Sequence, residues 1–282
     1  MAKRRTSAGE REQLALFQAL PGDMRPRDAR DLMSYPFFSL AKQKRIAPID
    51  FEAGPVRIRV EGVPEHGIAT IWDADLMIWA ASQLVAARDR GLATSRLMAA
   101  TPHEILTYTG RGTAQDDYRR LRAALDRLQS TTVATSLRQA HSQRLHRFSW
   151  VNEWKEIVRP GGRSAGLELI LPDWFYSGVM SDALVLGIDP RYFALTGGIE
   201  RWLYRLVRRH GGTQRMGWGF ELRHLYAKSG SQARYSDFAL DVRRLAQRQA
   251  LLGYRLRVAH AGGVEQLFFY RQSHRPSDTP AP

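Results

Sequence analysis

Cysteine is absent from this chain of 282 residues, and long apolar runs are absent too. Without cysteine, neither a disulfide framework nor a thiolate zinc site can form, which fits a reducing compartment. No stretch approaches about 18 consecutive apolar residues, so no membrane-spanning helix is expected. The first residues, MAKRRTSAGEREQLALF, lack the apolar core of a secretory signal peptide. Together these absences predict a cytoplasmic protein.

The chain also lacks the short motifs of common nucleotide and metal enzymes. It has no Gly-Lys-Ser or Gly-Lys-Thr triplet for a P-loop, and no His-hydrophobe-His motif of a nicking nuclease. His103 has no second histidine one helical turn later, and His141 and His146 have no third ligand nearby. Asp116 and Asp117 stand where a helix begins, and the helix dipole explains them there. The sequence therefore predicts no catalytic residue, no metal site and no cofactor.

Acidic residues are scarce relative to basic ones: 28 Asp and Glu face 42 Lys and Arg, for a formal net charge of +14. Such a surplus favours a polyanionic partner, which is DNA, RNA or an anionic membrane surface. Most of the cations are arginines, whose planar guanidinium matches phosphate oxygens and guanine edges. Because these arginines fall on predicted helix faces and strands, nucleic acid is the preferred partner.

One unit of sequence occurs twice, at a constant offset of 120 residues. In the first copy Gly110, Asp117, Tyr118 and Leu125 take the positions that Gly230, Asp237, Phe238 and Leu245 take in the second. Each copy is typical of a short helix, a glycine-containing turn, a basic amphipathic helix and then strands. That order predicts a helix-turn-helix followed by a β-hairpin, the wing. We therefore expect an α+β fold of tandem winged-helix domains that bind specific sequences of double-stranded DNA.

The composition divides the chain into four segments. Residues 1–34 are polar and contain proline, which predicts a flexible basic arm with a short helix over Glu10–Leu20. The first winged-helix domain is expected at 35–181, the second at 182–272, and a disordered tail at 273–282. Strands are expected at Val56–Val60, Gly67–Ile71 and Leu167–Leu171. Helices are expected from Asp73 or Asp75 to Arg90, and at Thr101 to Tyr108, Thr113 to Gln129, Pro172 to Met180, Asp189 to Arg209, Phe220 to Ala227 and Gln232 to Ala250. A first wing is expected from Thr131–Leu137 and the returning segment Arg144–Val158, and a second wing from Tyr254–Ala259 and Val264–Tyr270.

In the first copy, helical spacing packs Tyr118, Leu121, Leu125 and Leu128 on one face. The opposite face then presents Gln115, Arg119 and Arg120 to base edges, since glutamine suits adenine and arginine suits guanine. The turn residues Arg111 and Thr113 are expected on phosphates, and the wing tip contributes Arg138, Arg144 and Arg147. The alternative for each arginine is an ordinary solvated helix face.

In the second copy, the packed stripe is Phe238, Val242 and Leu245. The residues predicted to face DNA are Gln232, Arg234, Tyr235, Ser236, Arg243 and Arg244. Ser229 and Ser231 in the turn are predicted phosphate contacts. Arg255 and Arg257 on the wing strand are predicted to reach a minor groove or the backbone. Leu240 also points partly outward, and this pattern does not explain it.

Several segments, in order, resemble the replication initiator protein A family of bacterial plasmids over about Ser34 to Arg271. They are Tyr35–Lys42 (YPFFSLAK), Ile71–Asp75 (IWDAD), Leu171–Tyr176 (LPDWFY), Gly187–Phe193 (GIDPRYF) and Leu225–Ser231 (LYAKSGS). The resemblance implies tandem winged-helix domains that bind repeated origin sites (iterons), promote melting of nearby AT-rich DNA and recruit the host helicase and its loader. It also implies a homodimer through the first domain that represses its own gene, and iteron specificity carried mainly by Gln232–Arg248. The long basic first wing departs from that family pattern.

Two alternatives stay open from the sequence. The first is a winged-helix transcriptional regulator, such as an autorepressor, without a role in initiation. The second is an enzyme that acts on nucleic acid. Only the family resemblance separates the initiator from the regulator at this stage.

Overall fold

A computed structural model describes residues 11–139, 144–158, 160, 164–211 and 217–272. Helices and mostly antiparallel strands alternate along the chain, so the predicted α+β class is confirmed. The helices are α1 (Arg30–Ser34), α2 (Ala74–Asp89), α3 (Pro102–Tyr108), α4 (Gln115–Ser130), α5 (Asp173–Val179), α6 (Gly198–His210), α7 (Leu222–Ser229) and α8 (Tyr235–Arg248). The strands are β1 (Leu16–Gln18), β2 (Arg27–Ala29), β3 (Ile49–Ala53), β4 (Val56–Glu61), β5 (Leu97–Ala100), β6 (Thr132–Thr135), β7 (His146–Ser149), β8 (Glu153–Val158), β9 (Ser164–Ile170), β10 (Val185–Gly187), β11 (Trp218–Glu221), β12 (Tyr254–Ala261) and β13 (Val264–Arg271).

The segment from residue 11 to 34 is part of the folded core, so the prediction of a flexible arm is wrong there. β1 pairs in parallel with β5, and β2 pairs antiparallel with β10. Phe17 and Leu32 are buried in an apolar cluster. The predicted helix over Glu10–Leu20 is wrong as well, because β1 occupies its second half. The prediction relied on the polar composition of this segment. A few apolar residues are enough to fix it in the core, because distant strands supply its pairing partners. Residues 1–10 of the predicted basic arm lie outside the described residues, as does the predicted tail at 273–282.

Two four-stranded sheets form most of the first half of the chain. Their strand orders are β1-β5-β9-β8 and β3-β4-β6-β7. The returning segment of the predicted first wing is therefore two strands, β7 and β8, in different sheets. Trp150 and Val151 between them are fully buried, so the chain crosses the core at this point. The strand predicted at Gly67–Ile71 is only an isolated bridge between Ser39 and Thr70.

The second half contains α6, α7 and α8 packed on the three-stranded sheet β11-β13-β12. The helix predicted from Asp189 onward is divided. Pro190–Ala194 forms a 3₁₀ turn, and α6 begins only at Gly198. A Cβ at Gly198 would collide with the backbone of Leu40, which explains why a glycine stands at this position. The predicted hairpin agrees closely with β12 and β13.

The two apolar clusters of the described residues correspond broadly to the two halves of the chain, and buried ion pairs join them. Arg201 of α6 pairs with Asp75 of α2, and Arg205 of α6 pairs with Asp28 of β2. All four side chains are at most 3% exposed. Although burial opposes its charge, Asp28 keeps the pKa of Arg205 above its ordinary value. The contact between the two halves therefore contains buried ion pairs as well as apolar side chains.

Candidate nucleic-acid interface

The repeated sequence unit forms the same local structure twice. α3 and α4 are joined through Gly110, and α7 and α8 through Gly230. Both glycines adopt left-handed backbone conformations, with φ of 65° and 61°. Such a conformation is costly for residues with a side chain, which explains the glycine in both turns. α4 and α8 begin 120 residues apart, as the offset in the sequence predicts.

The exposed face of α4 carries the predicted polar residues. Leu121, Leu125 and Leu128 are buried beneath it, and Gln115 is exposed at its first turn. Arg119 lies 3.0 Å from Asp116 and is 75% exposed, whereas Arg120 lies 3.6 Å from Asp117 and is 72% exposed. Exposed pairs of this kind contribute little stability, so both guanidiniums are free to exchange an aspartate for a phosphate. Thr113 is also exposed, ahead of the helix.

Arg111 has a structural role in place of the predicted phosphate contact. Its guanidinium donates to the carbonyl oxygen of Trp72 at 2.6 Å and to the carboxylate of Asp75 at 3.0 Å. Asp75 also binds Arg201 of α6. Arg111 therefore fixes the turn before α4 to α2, at the point where the two halves of the chain meet.

The exposed face of α8 carries most of the residues predicted for the second copy. Phe238, Val242 and Leu245 are buried, as predicted. The exposed positions at or before the start of α8 are Gln232, Arg234 and Ser236, and Arg244 follows along the helix with 59% of its side chain exposed. Leu240 is 42% exposed on this face. Tyr235 is half-buried, with its ring against that of Tyr226.

Arg243 connects α8 to the hairpin of β12 and β13. Its Nε and Nη2 atoms each donate to a carboxylate oxygen of Glu265 at 2.7 Å. These hydrogen bonds hold the pKa of Glu265 below its ordinary value. A bidentate pair of this geometry fixes the orientation of both groups. Arg243 therefore positions the hairpin tip relative to α8. Its guanidinium is bound by Glu265, whereas the sequence predicted that it faces DNA.

The turn before α8 is buried against the first half of the chain. Ser229 is 0% exposed, and its hydroxyl donates to the carbonyl of Tyr226 at 2.7 Å. The buried Arg45 donates a short hydrogen bond to the carbonyl of Gly230. The prediction that Ser229 contacts phosphate is therefore wrong, because its side chain is fully buried and its hydroxyl is hydrogen-bonded within the turn. Ser231 stays half-exposed, and its hydroxyl accepts from the N–H of Ala233 at 3.2 Å.

The family of the chain follows from a comparison with known proteins. Residues 27–256 match the family model described as Replication initiator protein A. The chain belongs to the replication initiator protein A family. The predicted resemblance is thereby confirmed.

Two further comparisons agree with this family. A provisionally named replication protein of Wigglesworthia glossinidia brevipalpis is 29% identical over 229 residues, covering 80% of this chain and 82% of that protein. A crystal structure of domains 2 and 3 of RctB matches with a TM-score of 0.62 and 14% identity, covering 86% of this chain and 98% of that one. A second structure of the same RctB domains gives a TM-score of 0.56 at 14% identity, covering 86% of this chain and 96% of that one. At this identity the RctB likeness concerns the fold alone.

In this replication initiator family member, the segment predicted as the first wing keeps only part of its predicted basic surface. Arg144 and Arg147 are exposed near the start of β7. Arg138 is directed inward: it forms an ion pair with Asp31 at 2.9 Å, and its guanidinium lies 3.6 Å from the ring centroid of Trp174. Its predicted DNA contact is therefore wrong, because the guanidinium is already bound by Asp31 and packed on Trp174. His141 lies outside the described residues.

Arg255 and Arg257 do not join the surface formed by α8. On the same strand, Tyr254 and Leu256 are buried in the apolar cluster that also contains residues of α8. Alternate side chains of a strand point to opposite faces, so both arginines lie on the face turned away from that helix. Their predicted contact with a minor groove or the DNA backbone stays a prediction, because both side chains are exposed on the strand.

Two exposed arginines near α8 were not predicted. Arg223 of α7 lies with its guanidinium 4.5 Å from the ring centroid of Tyr235, and Arg248 is the last residue of α8. The prediction considered only the second helix of each pair, and so it passed over α7. The signal was available in the sequence, because helical spacing already places Arg223 opposite the apolar Leu222 and Leu225.

Within the ranges that the structure covers, no group of three or more His, Asp or Glu side chains is arranged to hold a metal ion. Among the helices described, none is both long and apolar enough to cross a membrane.

Proposed function

We propose that the two helix pairs and their hairpins are tandem winged-helix domains of a plasmid replication initiator. The protein would bind repeated double-stranded sites at an origin, promote opening of adjacent AT-rich DNA and recruit the host helicase and its loader. A homodimer through the first half would accompany this role. Family membership and the duplicated glycine turn followed by a long helix support the proposal.

The observation that carries the proposal is the exposed face of α8. In the described part of the chain no acidic side chain pairs with Arg234, and Arg244 lies 3.9 Å from Asp241 while its side chain stays 59% exposed. Arginine recognises guanine, glutamine recognises adenine, and an apolar side chain contacts the methyl group of thymine. Gln232 and the exposed Leu240 complete this set. A role in base contact would account for an exposed leucine that packing does not explain.

α4 would contribute mainly contacts to the DNA backbone. Arg119 and Arg120 each have an aspartate one turn earlier on the same helix. Arg244 of α8 likewise has Asp241 one turn earlier, so ion pairing within the helix does not separate the two helices. The proposal assigns most of the sequence specificity to α8 because the family resemblance places it there and because Leu240 is exposed on that helix, with Thr113 and Gln115 as supporting polar contacts.

Replication in living cells tests this function directly. A plasmid that carries the origin but no other replicon is introduced into hosts with and without this protein supplied in trans. We expect stable transformants only when the protein is present, together with footprints on repeated sites within the origin. Equal replication in both hosts would contradict an initiator role. Repression of its own promoter without origin replication would instead support a transcriptional autorepressor.

The proposed function includes no covalent chemistry on DNA. Supercoiled origin plasmid incubated with the protein and magnesium ions is expected to stay supercoiled on an agarose gel. Accumulation of nicked circles that depends on the protein would assign an enzymatic role.

A further inference from the structure

The sheet of the second half has an outer face that no helix covers among the described residues. Leu256 of β12 and Phe269 of β13 are buried in the core on its inner side. The alternating residues Arg257 and Phe268 therefore point outward, where they are neighbours in register, as are Arg255 and Tyr270. We call the surface made by Arg255, Arg257, Phe268 and Tyr270 the outer sheet face.

Each aromatic ring of the outer sheet face lies next to a glycine. One glycine is in β11, and the other immediately precedes that strand. Gly219 pairs with Phe268, and a Cβ built on that glycine would lie 2.9 Å from a ring carbon of Phe268. A Cβ on Gly217 would likewise lie 2.9 Å from a ring carbon of Tyr270. The rings thus occupy the space that side chains would take on the neighbouring strand. Both residues are nevertheless partly exposed to solvent.

The charge of the outer sheet face is positive. Arg255 and Arg257 are exposed, and neither forms an ion pair with any described carboxylate. The guanidinium of Arg257 lies 5.6 Å from the ring centroid of Phe268. Glu221, opposite Gln266 in register, is an acidic residue at the far edge of the same face.

Exposed rings beside unpaired arginines match the chemistry of single-stranded nucleic acid. Aromatic side chains stack on unpaired bases of any sequence, whereas the base faces of a duplex are already stacked. Residues two apart on one strand are separated by about 7 Å, so two consecutive splayed bases can each meet one ring. Arginines alongside the rings are placed to meet the intervening phosphates. The face is turned away from α8, so it would engage a different stretch of DNA from that helix.

We propose that the outer sheet face binds single-stranded DNA, with bases stacked on Phe268 and Tyr270 and phosphates bound by Arg255 and Arg257. This inference rests on the proposed function, because an opened origin would supply the single strand. The same molecule would then hold a duplex site on α8 and a displaced strand on the opposite side of its second half.

Separate binding measurements on the full chain test the proposal. The probes are a fluorescein-labelled AT-rich single strand of about 15 nucleotides and a labelled duplex of the origin repeat, both followed by anisotropy. We expect Phe268→Leu combined with Tyr270→Leu to weaken binding of the single strand by about tenfold or more. Leucine keeps an apolar group over each glycine but removes the stacking face. Binding of the duplex is expected to stay within about twofold of wild type, since α8 is untouched.

A second variant, Arg255→Ala combined with Arg257→Ala, tests the charges without touching the rings. The slope of log affinity against log salt for the single strand is expected to fall by about 1.4, at about 0.7 for each phosphate that the variant no longer neutralises. The matched control is Arg57→Ala combined with Arg59→Ala on β4. It removes the same charge from two exposed strand arginines that pair with Glu52 and with Asp50 and Glu61.

The proposal is overturned if the wild type does not bind the single strand, or if both variants bind it as tightly as the wild type does. It is also overturned if the control variant loses as much single-strand affinity as the arginine variant, or if RNA of the same sequence binds more tightly than the DNA strand. Circular dichroism identifies any variant that fails to fold, and the other variant then decides the matter. Loss of duplex binding by the wild type, with single-strand binding intact, would refute the proposed function instead.

Discussion

At the scale of single residues, the partner of each arginine separates structural from binding roles. Arg111, Arg138 and Arg243 are engaged by carboxylates within the chain. Arg244, in contrast, lies 3.9 Å from Asp241 and keeps 59% of its side chain exposed. Their sequence context does not distinguish these arginines, because the carboxylates of Asp75, Asp31 and Glu265 come from distant positions in the chain.

Arg244→Ala is therefore expected to weaken binding of the origin duplex by about tenfold, since one good contact with a base contributes about 1–3 kcal/mol. Fluorescence anisotropy over a range of salt concentrations measures this loss. The matched control is Arg57→Ala, an exposed arginine paired with Glu52 on β4. Equal losses in the two variants would mean that Arg244 acts only through the net charge of the protein.

At the scale of elements, features set by neighbouring residues were predicted well. The helix α3 begins as expected, with a capping box between Thr101 and Glu104 and Pro102 in the first turn. The glycine turns before α4 and α8 were likewise visible in the sequence. Strands β1 and β2 were missed, because a strand of three residues depends on pairing partners far along the chain.

The two turn glycines differ in their surroundings, and this gives a matched pair of substitutions. A Cβ at Gly110 would meet only Phe193 at 3.8 Å, whereas one at Gly230 would lie 2.9 Å from Pro36 and 3.1 Å from Ile49. Gly110→Ala is expected to lower the free energy of unfolding by about 1–2 kcal/mol, from the left-handed backbone alone. Gly230→Ala should cost clearly more, as measured by urea unfolding. Equal costs would show that the turn before α8 yields to the added methyl group.

At the scale of the whole molecule, buried ion pairs couple the two halves. The guanidinium of Arg205 contacts both carboxylate oxygens of Asp28, at 2.6 and 3.0 Å, and the two side chains are 2% and 1% exposed. Removing one partner of such a pair leaves a charge buried without compensation, which is strongly destabilising. Replacing both partners with apolar residues avoids that penalty.

Arg205→Ala is expected to lower the free energy of unfolding by about 3–5 kcal/mol. Arg205→Met combined with Asp28→Leu should recover most of this loss, again by urea unfolding. The control, Arg59→Ala, breaks an exposed pair with Asp50 and is expected to cost about 1 kcal/mol or less. If Arg205→Ala lowers the free energy of unfolding no more than the control does, the buried ion pair does not couple the two halves.

The sequence by itself determined the duplicated helix pairs, their glycine turns, the buried stripes of α4 and α8 and the family. These depend on local backbone preferences and on helical spacing, which neighbouring residues encode. Only the tertiary structure decided that residues 11–34 belong to the core, that Ser229 is covered, and that Arg255 and Arg257 point away from α8. Each of those outcomes depends on which surface a distant part of the chain packs against, and neighbouring residues do not encode that choice.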